Sequence, residues 1–262
     1  MIVIGELING MYKDVGKAIA NRETDVIQHL AEEQVRAGAG VLDVSVGPYS
    51  KNPVEDMKWL VEAIQKSVSV SLSLDSTKTD VIEAGLNFAK NRAIINSTSA
   101  DEDKMAVVFA MAKKYKAQVI GLAMDKSGVP NSKDQRLELA ALIIAKAMDF
   151  GIGAEDLYLD PIAMPVNVAQ SQGREVLEAI REFRLLSNPA PHTVIGLSNV
   201  SQRAKSRNLI DRTFLAMAIA NGLDSAILDP LDKNLMDAMI TSELLLNKNI
   251  YCDSFLEAYR KK

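Results

Sequence analysis

Residues 70–98, VSLSLDSTKTDVIEAGLNFAKNRAIINST, contain the unit whose repetition decides the fold. Two short apolar runs, Ser71–Leu74 and Ala93–Ile95, flank a longer segment with helical periodicity. Both runs are continuous rather than alternating, which is typical of strands buried on both faces of a parallel sheet. The stretch therefore predicts a strand, a crossover helix and a second, parallel strand.

The same alternation repeats along the whole chain. Apolar residues recur at helical spacing between the runs, as in segments 54–64 and 176–183. Units of roughly 30 residues match the size of a closed (β/α)8 barrel. We therefore predict an α/β fold in which residues 1–262 form one TIM-barrel domain. The expected strands are Ile2–Gly5, Val41–Ser45, Ser71–Leu74, Ala93–Ile95, Gln118–Leu122, Leu157–Leu159, Thr193–Gly196 and Ser225–Leu228.

A doubly wound open sheet is the main rival architecture. It usually carries a glycine-rich phosphate loop after its first strand. Here Gly5 and Gly10 enclose Glu6-Leu7-Ile8-Asn9, which is the wrong spacing for that loop. Gly38-Ala39-Gly40 precedes a strand, so we interpret it as the C-cap of a helix. These features favour the barrel.

Two further helix signals are local. Ser99 with Glu102 predicts a capping box at the start of a helix that runs to about Tyr115. The segment Asp253–Lys261 predicts a short helical tail that packs on the domain.

Composition limits the classes of partner. The chain has a net charge of −4 and no basic cluster, which argues against nucleic acid or an anionic membrane surface as the main partner. No apolar run approaches the roughly 18–20 residues needed to span a bilayer. The beginning MIVIGELING lacks a basic region, so it predicts a strand rather than a signal peptide. The single Cys252 excludes a disulfide framework and a cysteine-ligated metal site within the chain, and favours the cytoplasm.

Polar residues lie at the ends of the predicted strands. The carboxyl ends of barrel strands meet at one mouth, where active sites of this fold lie. One such carboxylate is ordinary, because Asp often caps the following helix. A whole ring of caps is much less expected, so the ring predicts a ligand pocket. Its members are Glu6, Asn9, Asp43, Asp75, Asn96, Asp125, Asp160, Ser198, Asn199 and Asp229.

The chemistry of this ring excludes several reactions. The only histidines are His29, which lies in a predicted helix, and His192, which is expected at the opposite mouth. A nucleophilic triad at the ring would therefore have no base, and a zinc or iron site would have too few imidazole ligands. A glycosidase cleft stays open as an alternative, although aromatic platforms are scarce and Trp59 lies on a helix. An aldolase would need a Schiff-base lysine, and none is seen among the strand ends.

Carboxylates and carboxamides instead suit a flat, neutral heterocycle with a hydrogen-bonding edge. A carboxylate accepts two parallel N–H bonds, and a carboxamide both donates and accepts. The aminopyrimidinone edge of a pterin presents that combination. The residues alone therefore predict a polar pocket for such a heterocycle.

Six segments, in chain order, resemble the pterin-binding methyltransferases. The likeness is strongest to methyltetrahydrofolate:corrinoid/iron–sulfur protein methyltransferases of the reductive acetyl-CoA pathway. It implies transfer of the N5-methyl group of 5-methyltetrahydrofolate to the Co(I) corrinoid of a separate corrinoid/iron–sulfur protein. It also implies a homodimer without a resident metal or other permanently bound cofactor. The segments are GELING (5–10), LDVSVGP (42–48), LDSTKTDVIEAGL (74–86), NRAIINST (91–98), DLYLDP (156–161) and GLSNVSQ (196–202).

The resemblance also assigns residues. It implies that Asp75, Asn96 and Asp160 hold the pterin ring, and that Asn199 lies beside N5 as the catalytic hydrogen-bond donor. An amide stabilises a protonating nitrogen without giving up its own proton, so water organised by Asp43, Asp75 and Ser198 is an alternative proton source. The further folate contacts implied are Gly196, Ser198, Gln202 and Arg207, supported from behind by Glu6 and Asp43.

The chain departs from the family pattern at Ser45 and Asp125, where many relatives carry Asn, and at Gln202, where folate modules of methionine synthases carry an aromatic residue. The rival dihydropteroate synthases carry a Ser/Thr-Arg-Pro-Gly loop, whereas GPYSKNP (47–53) has no arginine. No Asp-x-His-x-x-Gly cobalamin segment occurs, so the corrinoid is expected on a partner protein. Two alternatives stay open: the protein transfers the methyl group to another corrinoid carrier, or it binds folate without catalysing a reaction.

Overall fold

Eight parallel strands form a barrel at the centre of the protein in the computed structural model, which describes residues 1–260. They pair in the order β7-β6-β5-β4-β3-β2-β1-β8. The two ends of this sheet meet through a parallel bridge between Gly196 and Ile227. The predicted (β/α)8 barrel is thus confirmed. The strands are β1 (Ile2–Asn9), β2 (Val41–Ser45), β3 (Ser71–Asp75), β4 (Ile94–Ser99), β5 (Gln118–Leu122), β6 (Leu157–Asp160), β7 (His192–Thr193) and β8 (Ser225–Leu228).

Helices connect the strands and cover the barrel. In α3, Met57, Leu60 and Ile64 are fully buried, as the predicted apolar stripe requires. Burying each such side chain stabilises the fold by roughly 1.5–3 kcal/mol. The helices are α1 (Lys13–Asn21), α2 (Thr24–Arg36), α3 (Pro53–Ile64), α4 (Thr79–Phe88), α5 (Glu102–Tyr115), α6 (Lys133–Asp149), α7 (Val166–Ala169), α8 (Gln172–Phe183), α9 (Arg207–Ala220), α10 (Lys233–Leu245) and α11 (Phe255–Arg260).

Five strands differ from the predicted bounds; β3 and β6 are each one residue longer, and β1, β4 and β7 differ by more. β1 continues to Asn9 through a register shift, because Gln34 accepts a hydrogen bond from the Leu7 N–H there, so Glu6 lies within the strand. Asn96 also lies within its strand, since β4 continues to Ser99 beyond an irregularity in its pairing with β5. β7 is shorter than predicted, because after Thr193 the chain pairs with its neighbours only at single positions.

The predicted capping box is wrong. Ser99 belongs to β4, and its hydroxyl donates to the Asp101 carboxylate at 2.6 Å instead of capping a helix. Helix α5 ends at Tyr115 as predicted, but it starts at Glu102 without a side-chain cap. Gly38, with φ of +110°, follows α2 as expected of a C-cap region. The predicted tail is a helix only from Phe255, and its last residue, Lys261, lies outside the described residues.

An apolar layer inside the barrel positions the polar residues of the mouth. It consists of Ile4, Val41, Ile94, Ile120, Tyr158 and Val194. Side chains two positions apart on a strand share a face, so the next inward residues lie one layer closer to the mouth. Four of those are the polar residues Glu6, Asp43, Asn96 and Asp160. None of the helices within residues 1–260 is long and apolar enough to cross a membrane.

Candidate active site

Three adjacent strands hold one cluster of hydrogen bonds at the mouth. Strand pairing places Asp43 beside Ser73, Ser45 beside Asp75, and Asp75 beside Asn96. The Asp43 carboxylate is only 5% exposed. It accepts hydrogen bonds from the Ser73 hydroxyl at 2.6 Å and the Asn96 amide at 3.0 Å. The orientation of Asn96 is therefore fixed before any ligand binds.

The two carboxyls of this cluster are costly to ionise together. Burial raises the pKa of Asp43, and the nearby Asp75 raises it further. Burial also raises the pKa of Asp75, whereas a hydrogen bond from the Ser45 hydroxyl lowers it. Two like charges this close to each other favour retention of a proton. A ligand that brings N–H donors to the pair would favour its ionised form.

Asp160 closes the opposite part of the same layer. It ends β6, is 7% exposed, and accepts the Ile162 N–H at 2.7 Å. Burial raises its pKa to about 7, although hydrogen bonds from the backbone N–H groups of Ile162 and Gly196 oppose this rise. A carboxylate offers about four acceptor positions. Asp160 can therefore still accept N–H groups from a ligand.

A buried arginine that the sequence did not single out holds the loop after β6. Arg136 on α6 is fully buried, and its Nε donates to the Pro161 carbonyl at 2.7 Å. Its Nη2 donates to the Gln172 side chain. The next residue after Pro161, Ile162, has φ of +64°, which is uncommon for a β-branched residue. Arg136 thus fixes the turn that orients Asp160.

A second network lies across the mouth on β1 and the loop after β7. The Ser198 hydroxyl donates to Glu6 at 2.9 Å. Burial raises the pKa of Glu6 to about 7, and Asp229 and Asp211 add to the rise. Arg207 donates to the Ser201 hydroxyl at 3.1 Å and to the Ser198 carbonyl at 3.4 Å. Arg207 therefore holds the loop that carries Ser198.

Asn199 is an exposed polar residue of that loop. It ends a 3-10 turn, Leu197–Asn199, and its side chain makes no hydrogen bond within residues 1–260. A Cβ at Gly196 would lie 3.0 Å from Asn199 Nδ2, so the glycine leaves room for the amide. Gln202 is exposed one turn further along. The Asn199 amide is therefore free to meet a ligand.

Other predicted members of the ring are satisfied locally. Asp125 accepts the Ser127 N–H at 2.8 Å in its own turn. Asn9 accepts the Met11 N–H at 2.9 Å, and Asp229 accepts the Leu231 N–H at 2.8 Å. His192 begins β7 and bonds Asp224 at 3.0 Å, away from the mouth. Across residues 1–260 no group of His, Cys, Asp or Glu side chains is placed to hold a metal.

Sequence reasoning missed the roles of Ser45 and Ser73. Ser45 lies two residues after Asp43 on β2, and Ser73 lies two residues before Asp75 on β3. Residues two apart on a strand point to the same face, so this spacing could have predicted that both serines lie on the face of the aspartates. Ser45 donates a hydrogen bond to Asp75, so the serine at this position still supplies a donor to that carboxyl.

Comparison with known sequences identifies the family. Residues 14–229 match the profile of the family described as pterin binding enzyme. The chain belongs to the pterin-binding enzymes. The match covers every strand from β2 to β8 and the polar layer that they carry at the mouth. The resemblance to the pterin-binding family is thereby confirmed, and five of the six sequence segments lie within the match.

Curated relatives include two named enzymes. This pterin-binding enzyme is 27% identical over 266 residues to the methylcorrinoid:tetrahydrofolate methyltransferase of Eubacterium limosum, covering 100% of this chain and 97% of the relative. It is 30% identical over 240 residues to the methionine synthase of Mycobacterium tuberculosis. That alignment covers 87% of this chain and 20% of the methionine synthase, so the chain spans a fifth of that protein.

Solved structures support the fold of this pterin-binding enzyme. The Yersinia pestis dihydropteroate synthase with a pterine–sulfa conjugate has a TM-score of 0.70, with 16% identity and 94% of both chains covered. The 7,8-dihydropteroate synthase of Vibrio fischeri has a TM-score of 0.70, with 15% identity and 95% and 94% of the two chains covered. At these identities the likeness shows the fold alone.

Proposed function

We propose that this protein transfers a methyl group between N5 of a tetrahydrofolate and the cobalt of a corrinoid held by a separate protein. One observation carries the proposal: the chain is similar over its full length to a protein named for methylcorrinoid and tetrahydrofolate. The geometry of the mouth supports it. An acceptor-rich pocket suits the N–H edge of a pterin, and the free amide of Asn199 lies at its rim.

The pterin ring is expected to bind through Asp75, Asn96 and Asp160. Asp160 is held by backbone N–H groups and keeps acceptor positions for the amino and ring N–H groups. Asn96 is oriented by Asp43. Hydrogen bonds from the pterin favour the ionised carboxylates and lower their pKa values. Binding near neutral pH should therefore release protons.

Methyl transfer breaks the bond between N5 and the methyl carbon and forms a bond between that carbon and cobalt. In the forward direction Co(I) supplies the electron pair of the new bond and becomes methyl–Co(III), while N5 keeps the electron pair of the broken bond and gains a proton. A neutral tertiary amine is a poor leaving group, so a hydrogen bond or proton at N5 lowers the barrier. The Asn199 amide supplies that hydrogen bond. Loss of one such donor typically costs about 10²–10³ in rate.

Direction and carrier are the finer parts of the proposal. We take 5-methyltetrahydrofolate as donor and the Co(I) corrinoid of a corrinoid/iron–sulfur protein as acceptor, in the acetyl-CoA pathway. The Eubacterium limosum relative is named for a methylcorrinoid donor. The same residues serve both directions, because both pass through one transition state. We also propose a homodimer, which sedimentation of the purified protein tests.

Anaerobic stopped-flow mixing with 5-methyltetrahydrofolate and a Co(I) corrinoid tests this function. The corrinoid is supplied free, on a corrinoid/iron–sulfur protein, or on a carrier without the cluster. Protein-dependent loss of the Co(I) absorbance, at least about tenfold slower in Asn199→Ala, is the expected result. Asn21→Ala, an exposed asparagine at the end of α1, is the matched control. Tight folate binding without methylation of any corrinoid would refute the proposed reaction.

A further inference from the structure

A buried serine lies in the loop that carries Asn199. Ser201 is two residues beyond Asn199 and is fully buried, although the two residues after it are exposed. Its hydroxyl lies between two charged side chains: it donates to the Asp211 carboxylate at 3.0 Å and accepts from the Nε of Arg207 at 3.1 Å. Burial of a hydroxyl costs free energy unless its hydrogen bonds are made. Both charged partners therefore stabilise Ser201 in this position.

The Asp211 carboxylate decides the direction in which this hydroxyl points. A serine hydroxyl has one proton to donate, and an ionised carboxylate can only accept. The proton of Ser201 therefore points to Asp211, and its lone pairs face the Nε–H of Arg207. Without Asp211 the hydroxyl is free to turn its proton towards that N–H, which breaks the hydrogen bond with Arg207.

The Arg207 guanidinium holds the chain on both sides of Asn199. Its Nη2 donates to the carbonyl of Ser198, which precedes Asn199, and its Nε donates to Ser201, which follows it by two residues. The turn between these points is tight, since the Gln202 N–H donates to the Asn199 carbonyl at 3.2 Å. The position of the Asn199 amide therefore depends on the orientation of Arg207.

Asp211 has a single side-chain hydrogen bond within residues 1–260, the one with Ser201. It lies four residues after Arg207, one turn into α9, and is partly exposed. It forms no ion pair at 4 Å or less with any described residue. Truncation of its side chain therefore breaks one described hydrogen bond, and leaves the pterin contacts proposed on β3, β4 and β6 in place.

We infer that Asp211 is a positioning residue for Asn199, acting through Ser201 and Arg207. The inference rests on the proposed function, since it assumes that the Asn199 amide meets N5 of the folate. A hydrogen-bond donor that is misplaced by even a fraction of an ångström loses part of its stabilisation of the transition state. Loss of Asp211 should therefore lower the rate of methyl transfer more than it weakens folate binding.

Anaerobic stopped-flow mixing of the full chain with saturating 5-methyltetrahydrofolate and a Co(I) corrinoid measures the rate, and calorimetric titration measures folate affinity. Asp211→Ala should lower the rate about tenfold and change the affinity less than about threefold. Asp211→Asn keeps an oxygen that accepts the Ser201 hydroxyl, so its rate should stay within about twofold of wild type. Rates are compared at the maximum of each pH profile, because the charge of Asp211 also raises the pKa of Glu6.

Two further variants complete the test. Asp14→Ala removes an exposed carboxylate from the first turn of α1, so it is the matched control and should keep the wild-type rate. In the Asn199→Ala background, Asp211→Ala should lower the rate by less than about twofold, because the group that it positions is already absent.

The outcomes separate this inference from the proposed function. An equal effect of Asp211→Ala in both backgrounds means that Asp211 acts independently of Asn199 and overturns the inference. Equal losses in Asp211→Ala and Asp211→Asn assign the effect to charge, and a parallel loss of folate affinity assigns it to the folding of the pocket; either result also overturns it. If wild type binds the folate but methylates no corrinoid, the proposed function fails and the inference fails with it.

Discussion

Replacing Asp160 by asparagine should change how folding stability depends on pH. Burial raises the pKa of Asp160 from 3.8 to about 7. A raised native pKa means that the folded protein keeps a proton which the unfolded chain has already lost. The stability from that proton is fully present below the unfolded pKa and is lost as the pH rises through about 7. The neutral amide of the Asp160→Asn variant has no such titration.

The magnitude follows from the size of the shift. Each pKa unit corresponds to about 1.4 kcal/mol, so roughly three units correspond to about 4 kcal/mol over the whole range. Between about pH 4.5 and pH 8, wild type should lose about 3 kcal/mol through this group alone. The stability of Asp160→Asn relative to wild type should therefore rise by that amount across the interval. Any destabilisation by the substitution that does not depend on pH cancels in this difference.

Urea unfolding at several pH values, followed by circular dichroism and by the fluorescence of Trp59, measures the effect. Asp25→Asn, an exposed position in the first turn of α2, is the control and should follow wild type at every pH. Parallel stability curves for Asp160→Asn and wild type would refute the reasoning. They would mean that Asp160 is already ionised in the folded protein at acidic pH.

Three further predictions separate binding from chemistry. Asn96→Ala should weaken folate binding by about tenfold or more and lower the rate at saturating folate by less. Asn199→Ala should lower that rate by about tenfold or more and weaken folate binding by less. Equal losses in affinity and rate for Asn199→Ala would contradict its place beside N5. Arg136→Met should loosen the turn that carries Asp160, raising KM about tenfold while kcat is largely kept, and a fall in kcat alone would refute this positioning role. Glu6 lies against Ser198 in the loop of Asn199, and its carboxyl loses its proton as the pH rises through about 7. If that proton reaches N5, the methyl-transfer rate of wild type falls over this range and Glu6→Gln flattens the fall; an unchanged pH profile in stopped flow would exclude Glu6 as the proton source.

The repeating pattern of the sequence was sufficient for the architecture. Continuous apolar runs and helical stripes act locally, so they predicted the eight strands and the closed barrel without knowledge of any long-range contact. The period of two within a strand also accounts for the polar layer, because Glu6, Asp43, Asn96 and Asp160 each follow an inward apolar residue by two positions. Composition and spacing thus predicted that a polar layer lies at the mouth of the barrel.

Only the tertiary structure decided which polar groups are fixed and which are free. Nothing next to Arg136 in the chain indicates that its guanidinium reaches Pro161, which lies 25 residues later. The same holds for Ser198, whose hydroxyl meets Glu6 across 192 residues when the barrel closes. From the sequence we predicted that Glu6 and Asn96 follow their strands and that Ser99 caps a helix, whereas all three lie within strands. Those predictions were wrong because the end of a strand depends on hydrogen-bond partners in the neighbouring strands. Such partners are brought together by closure of the barrel, so the burial that sets the pKa values of Glu6, Asp43 and Asp160 exists only in the folded protein.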